Sequence, residues 1–423
     1  MPLLTGTVIP KVIEFRQSAQ FAIDPLAFLS KHHKEQGEAF QTKLGVRDVY
    51  VISSANSINK VLLNRENQFS LSSATLMLNH FLGKGLLTTE GAEWSAKRKR
   101  LLTHFSNKRI KLGLPHYAEN IESTLSEWPK SSSFNLLGYV RQISVRIISD
   151  FLFGEKPSAD AIAKIQIGTD AVMEFISLSR NPFYMRKNAS EIKRNMQEQT
   201  KIVKENLLEL FRNSNAALSL ELKSKNLSEE EILGEITTLV AAGYESSAHS
   251  ISSAIYFIEK NQDVKQKLLN EVDSSFNGVQ DIFKLPYLLN VIKETLRVLP
   301  PGWMFFRKTN QSVVLDDYKI PAERDVMINI HGLHNNPREW ENPELFSPDR
   351  FSTPKHRNNA FLPFGTGARF CIGRNLALQE ILFTLAHLYK KYRVEVLNLN
   401  QIKVKPDITL GFGGDFETCI SPR

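Results

Sequence analysis

From Glu93 to Val298 apolar residues return every three to four positions almost without a break, and this period limits the possible folds more than any other feature. It predicts helices near 93–104, 114–128, 133–153, 160–178, 188–213, 228–260, 263–274 and 285–298. Ahead of this block, EAFQTKLG and RDVYVIS alternate apolar and polar residues as two short strands, followed by a helix that opens at Ala55. Behind it, Phe305–Lys308, Val313–Leu315 and Val326–Ile330 read as strands, then comes a helix at 374–391 and further strands to the end. The fold class is mainly α with a small β part.

No Pro/Gly/Ser-rich linker divides the 423 residues, of which 42% are hydrophobic and 23% charged, so one large core is expected and disorder is excluded. The chain reads as one domain, 1–423, with a β-containing N-terminal lobe to about 65, a helical core at about 66–300 and a C-terminal β region beyond. Apolar runs stop well short of the roughly 18 residues needed to cross a bilayer, so no transmembrane anchor is expected. The first fifteen residues lack the basic start and cleavage site of a signal peptide. With only Cys371 and Cys419 a disulfide framework is excluded, which points to the cytoplasm. The net charge of +8 is too diffuse to argue for nucleic acid. One cluster is denser: Lys97, Arg98, Lys99, Arg100, Lys108, Arg109 and Lys111 fall together with no acidic residue among them. It reads either as a solvated helix face or as a docking patch for an acidic protein.

A stretch as long as 335–370 without regular structure is uncommon in a packed domain unless it wraps a functional centre. Phe346, Phe351, Phe361, Phe364 and Phe370 are costly to leave in water, so the segment should be packed down against whatever Cys371 faces. Cys371 sits in a loop that enters a helix N-terminus, where amide N–H groups and the positive helix end are expected to lower a thiol pKa. Gly365, Gly367 and Gly373 allow close backbone approach, and Arg369 adds a fixed cation. A lone cysteine is ordinarily core, and one without neighbouring ligands does not close a zinc tetrahedron.

The run Phe364-Gly365-x-Gly367-x-Arg369-x-Cys371-x-Gly373 resembles the haem-binding loop of cytochromes P450 at every fixed position. The resemblance extends to Glu294-x-x-Arg297 and to Ser347-Pro348-Asp349-Arg350-Phe351, where Asp349 stands for the usual glutamate. It implies the fold of that family and haem b, with the Cys371 thiolate as axial ligand and Phe364 and Gly373 beside it. Trp94, Arg98, Arg307 and Arg369 would hold the propionates, and a buried triad of Glu294, Arg297 and Arg350 would lock the loop behind the haem. Ala241-Ala242-Gly243-Tyr244-Glu245-Ser246-Ser247 is similar to the family's oxygen-activating helix motif, with Ser246 where threonine is usual. Read from the residues alone, this run is either a Ser/Gly packing contact or a widened groove in which a hydroxyl bonds to an upstream carbonyl. The resemblance implies that Glu245 and Ser246 deliver protons, with some leakage to peroxide because serine has more rotamer freedom.

A soluble bacterial-type monooxygenase is implied, acting as a monomer on a lipophilic small molecule and O2. The chain carries no flavin or nicotinamide fingerprint, so an acidic ferredoxin or flavodoxin with its reductase is the expected electron donor. Family position places Phe81, Leu82, Phe175, Leu239, Ala242, Trp303, Met304, Phe305 and Phe412 around the substrate. The alternatives are oxidative aryl coupling or peroxygenase chemistry in the same fold, and a non-catalytic haem protein that senses gas.

Overall fold

In a computed structural model of the protein, the helix Glu229–Lys260 runs through the centre for 32 residues, about 48 Å at the usual rise. The residues described are 9–11, 17–45, 47–130, 132–154, 157–179, 182–353 and 359–423, and of the side chains at 176–179 and 182–189 nothing is said. The central helix starts at a capping box in which Ser228 and Glu231 satisfy each other's backbone N–H groups, with Glu229, Glu230 and Glu231 at its positive end. Most side chains from Ile232 to Glu259 are buried, the pattern of a helix enclosed by others. Around it pack Leu136–Phe153, Pro182–Asn213, Pro286–Val298 and Arg374–Lys391. The last two carry Glu294, Arg297 and the segment that follows Cys371.

The helical reading of 93–298 holds, with shifted boundaries that have local causes. The helix expected at 114–128 begins at Asn107 and runs to Ser126 with Pro115 inside it. Gly113 and Pro115 resemble a break, but Gly113 lies beneath Tyr117, whose ring carbon Cζ a Cβ would approach to 2.6 Å. The glycine serves packing rather than termination. The helix expected from 133 starts at Leu136, because Phe134–Asn135 pairs with the C-terminal strand Glu417–Pro422. Short helices at Gln17–Ile23, Pro25–Gln36 and Ala217–Ser224 were not expected.

The main sheet joins both ends of the chain. Its order is Ala39–Leu44, Arg47–Ile52, Asp325–Asn329, Met304–Thr309 and Phe69–Leu71, antiparallel except where Val49–Ile52 runs parallel to Asp325–Ile328. A parallel pair requires a crossover connection. Here the crossover is the entire helical block, so closing this sheet brings Arg307 in Met304–Thr309 back toward Glu90, the cap of the helix that carries Trp94 and Arg98.

Glu294 and Arg297 are both fully buried, and the carboxylate meets the guanidinium at two 2.8 Å contacts. Arg350 adds a 2.9 Å bond to Glu294 Oε1, and the Ser347 N–H donates to the same oxygen at 2.9 Å. The remaining Arg297 donors reach the carbonyls of His334, Pro343 and Leu345. Arg350 reaches those of Glu341, Asn342 and Leu345. One carboxylate thus ties a helix to the segment 334–350, which would otherwise leave carbonyls unpaired inside the protein. His334 extends the tie: its Nε2 accepts the Leu362 N–H at 2.9 Å, so its Nδ1 carries the proton and faces the Arg297 carbonyl at 3.2 Å. Three of the five phenylalanines of the long segment pack into aromatic clusters, Phe346 stacked on Phe257 and Phe351 and Phe361 beside Trp340, whereas Phe370 is exposed. Asp349 faces outward and pairs with Lys267 at the surface.

Removing one member of a buried pair strands the other, which costs about 3–5 kcal/mol, whereas an exposed pair contributes about 0–1 kcal/mol. Glu294→Ala is therefore expected to lower unfolding free energy in urea by the former amount and Asp349→Ala by the latter. Equal losses in the two variants would refute the distinction.

Candidate active site

Cys371 lies two residues before the cap of the helix Arg374–Lys391. Its N–H donates to the Phe364 carbonyl at 2.9 Å, and the Gly365 N–H donates to Leu362 at 3.0 Å, so the loop is closed by its own backbone. Gly367 has φ +74°, and a Cβ there would come within 2.4 Å of the Leu62 carbonyl, which reserves the position for glycine. The N–H groups of Gly373 and Arg374 point at the Cys371 sulfur. The side chain is accessible, yet protein surrounds it closely enough for burial to raise the thiol pKa. Both hold when the sulfur stands on the wall of an internal chamber. The expected lowering is thus corrected: the two N–H groups and the charges of Arg98 and Arg374 oppose burial without overcoming it. A metal cation bound at the sulfur supplies the rest, since a coordinating thiol is deprotonated outright.

Three guanidinium groups form a row of neighbours that starts at this sulfur, Arg98 beside Cys371, Arg369 beside Arg98 and Arg307 beside Arg369. Arg98 stands 5.7 Å from the Trp94 ring centroid and 4.5 Å from that of Phe370, and Arg369 stands 4.5 Å from Trp94 on its own side. Arg98 donates to the Phe370 carbonyl, Arg369 to Thr89 and Arg307 to Phe306. None of the three forms an ion pair among the described residues. Burial lowers the pKa of each, Arg307 to about 10, and Arg369 pushes Arg307 further down while Glu90 opposes. Desolvated like charges are stable together only with anions between them. Two propionates beside an iron on Cys371 meet this need, so the residues fit the haem that the sequence implied. Among the described residues no group of three His, Cys, Asp or Glu side chains is placed to hold a metal.

The central helix carries the second wall. Ser246 Oγ donates to the Ala242 carbonyl at 2.7 Å, the upstream bond expected of a widened groove. Ala242 is exposed although the turns on either side are buried, which requires an internal space along that face. Gly243 supplies the packing alternative as well, for a Cβ there would touch Ile148 Cδ1 at 3.1 Å. Glu245 is buried and fastened: Oε1 accepts from Arg141 Nη2 at 2.5 Å and lies 3.0 Å from His249 Nε2. Burial pushes its carboxyl up, but the His249 hydrogen bond and the charges of His249 and Arg141 hold it down at about 2. Glu245 is therefore a carboxylate at neutral pH. Sequence reasoning missed both clamps, and it missed Glu380, which burial pushes up to about 7 against hydrogen bonds from Ser144 and Ser247. The only sequence signal for His249 is its i+4 spacing from Glu245.

Of the residues expected around the substrate, Phe81 and Phe175 meet with ring centroids 5.5 Å apart, and Leu82, Met304 and Phe305 are partly buried. Leu239 is buried on the same helix as Ala242. Trp303 is fully buried with its indole N–H on the Asp407 carbonyl, and Phe412 packs against Tyr256 and Phe416, so both belong to the core. The basic cluster also divides. Lys97 is buried against Glu235 at 2.9 Å and the Lys84 carbonyl at 2.8 Å, and Arg98 turns inward, whereas Lys99, Lys108, Arg109 and Lys111 remain exposed.

The chain is 24% identical over 416 residues to cyclooctatin synthase of Streptomyces melanosporofaciens, covering 92% of this chain and 90% of the relative. It is likewise 24% identical to cyclooctat-9-en-7-ol 5-monooxygenase of the same organism, covering 93% and 90%. Thromboxane-A synthase of Macaca fascicularis is 34% identical over 193 residues, 43% of this chain and 36% of the relative. The family description that matches, Cytochrome P450, spans residues 6–413 and so takes in the Cys371 loop, the arginine cluster, the Ser246 groove and the Glu294 triad together: this chain belongs to the cytochrome P450 family.

Proposed function

We propose that this haem-thiolate monooxygenase hydroxylates or epoxidises a lipophilic small molecule, drawing two electrons from an acidic ferredoxin or flavodoxin. The observation that carries the proposal is the pairing of two walls: a sulfur met by two backbone N–H groups, and a helix face opened at Ala242 and Ser246. When bound, haem b supplies the activation of O2 for transfer of one oxygen atom to carbon. Cys371 would hold the iron as thiolate, and Arg98, Arg307 and Arg369, with Trp94 in reach of Arg98 and Arg369, would neutralise the propionates. Ser246 holds a hydroxyl proton at the groove, donating to the Ala242 carbonyl until it is drawn inward. Glu245, the next residue along the helix, recharges it.

Phe81, Leu82, Phe175, Leu239, Ala242, Met304 and Phe305 give the substrate an apolar and partly aromatic surface. Similarity to a relative named for oxidising cyclooctat-9-en-7-ol supports a hydrocarbon-rich substrate with few polar groups. Among the described residues no helix is long and apolar enough to cross a membrane, and we place the enzyme in the cytoplasm as a monomer. Electron transfer is assigned to Lys99, Lys108, Arg109 and Lys111, all exposed on the helices Gly91–His104 and Asn107–Ser126, the first of which carries Arg98 to Cys371.

The thiolate assignment is checked by the Soret band of the dithionite-reduced carbon monoxide complex. A thiolate-type band is expected in the natural protein and its loss in Cys371→Ala, while a histidine-type band in the natural protein would overturn it. Ser246→Ala should lower product formed per electron consumed several-fold, with the balance appearing as peroxide, and unchanged coupling would remove Ser246 from the relay. Glu in place of Lys99, Lys108 and Arg109 should slow reduction by about tenfold or more at low ionic strength and flatten its salt dependence. A rate and salt slope equal to those of the natural protein would rule this face out as the docking site.

A further inference from the structure

Lys97 belongs to the basic cluster of the sequence but is buried in the fold, where it serves two elements at once. Its Nζ donates to the Lys84 carbonyl at 2.8 Å and lies 2.9 Å from Glu235 Oε1, with the exposed Glu93 at 3.7 Å. Glu235 is buried on the central helix, and among the described residues no other ion pair or hydrogen bond reaches its carboxylate.

A second contact joins the same elements. A Cβ on Gly234 would stand 2.9 Å from the Lys84 carbonyl carbon, and a Cβ on Gly85 would overlap Thr238 Oγ1 and the Gly234 carbonyl. The chain at 83–85 therefore lies directly on the backbone of the central helix. Thr88 and Thr89 donate their hydroxyls to the carbonyls of Gly83 and Gly85, which closes this loop on itself. At its base the Leu71 N–H donates to Glu90 at 2.5 Å, and the Thr89 carbonyl accepts from Arg369. Between these ties runs the stretch 72–82, exposed at Leu76 and Met77 and ending in Phe81, which meets Phe175, and Leu82.

We propose that Lys97 and Glu235 are positioning residues for the substrate: together with Gly85 they strap the loop 83–85 to the central helix, and so fix where Phe81 and Leu82 stand in the pocket. This reading rests on the apolar substrate surface proposed above. An ion pair that only joined two helices could be replaced by apolar side chains without loss. Lys97 does more, because its third contact is a loop carbonyl, which an apolar side chain cannot hold. Its neighbour Arg98 turns the other way, to the Phe370 carbonyl and Cys371, so one helix, Gly91–His104, sets the loop in register with the thiolate wall. A wall ordered before binding spares the ligand the entropy of ordering it.

The test uses haem-loaded protein and two probes read by the shift of the Soret band: 4-phenylimidazole, which carries an aromatic ring, and imidazole, which carries none. Lys97→Met should raise the Kd of 4-phenylimidazole about three- to tenfold, chiefly through faster dissociation, and leave that of imidazole within about twofold. Gly85→Ala keeps the ion pair but lifts the loop from the helix, and the same split is expected. The double variant Lys97→Met/Glu235→Leu should recover the urea midpoint that Lys97→Met loses, yet keep the weakened 4-phenylimidazole affinity, because the Lys84 carbonyl stays untied. An intact carbon monoxide spectrum in each variant shows that haem is bound. Natural 4-phenylimidazole affinity in either single variant, an equal loss for both probes, or a double variant that regains the natural affinity overturns the assignment. If Phe81→Ala weakens 4-phenylimidazole binding while the Lys97 variants do not, only the strap is removed. If Phe81→Ala has no effect, the place of Phe81 in the pocket falls and the strap's role falls with it.

Discussion

The Glu294 carboxylate is the constraint on which the rest of this protein depends. Its two oxygens receive Arg297, Arg350 and the Ser347 N–H with no solvent in reach. The guanidinium groups spend their remaining donors on carbonyls of residues 334–345, a segment too irregular to satisfy itself. A salt bridge of this kind adds little net stability compared with an apolar replacement. Its contribution is positional: it holds a long loop in one path, and that path ends at Cys371. His334 carries the same fixation onward to Leu362, at the entry of the cysteine loop.

The two walls of the active site are built on opposite electrostatic plans. On the thiolate side, Arg98, Arg307 and Arg369 are desolvated with few anions, an arrangement that favours an anionic prosthetic group. On the helix side, Glu245 is over-compensated by Arg141 and His249 and stays ionised although buried. The protein thus binds its cofactor through unmet positive charge while keeping its proton-handling carboxylate fully met. Glu380, beneath the same stretch of helix, is held only by neutral hydroxyls, and burial there favours the protonated form. Two carboxyl groups close to the groove therefore hold different charge states, set by whether their neighbours are cations or alcohols.

What was legible in the sequence follows from the range over which each signal acts. Glu294 and Arg297 lie three residues apart on a helix, and the Cys371 loop is ten contiguous residues, so short-range spacing shows both. Ser246 and its bond to Ala242 were legible for the same reason. Arg141 was not, because it reaches Glu245 from another helix, with Asp170 of a third helix on its other side, and nothing near either in the chain marks the meeting. The basic cluster shows the limit from the other side: Lys97 and Lys99 are two residues apart on a helix, so one turns toward Glu235 and the other toward water. Trp303 and Phe412 were placed by position along the chain, which does not reveal which face of a strand or loop points to the core.

The reactive groove lies on the most enclosed helix of the fold rather than on a loop, and this choice has a physical consequence. Ser246 and Ser250 both direct their hydroxyls to carbonyls one turn back, yet the helix remains continuous from Glu229 to Lys260. Such bonds normally loosen and bend a helix, and Gly243 weakens it further, by about 1 kcal/mol relative to alanine. Burial on nearly every side offsets that cost, and Ile148 fills the space that Gly243 leaves. Packing thus keeps the helix continuous through the stretch that these residues weaken. A loop could offer the same hydroxyl, but not the fixed spacing that brings Glu245, Ser246 and His249 within one turn of each other.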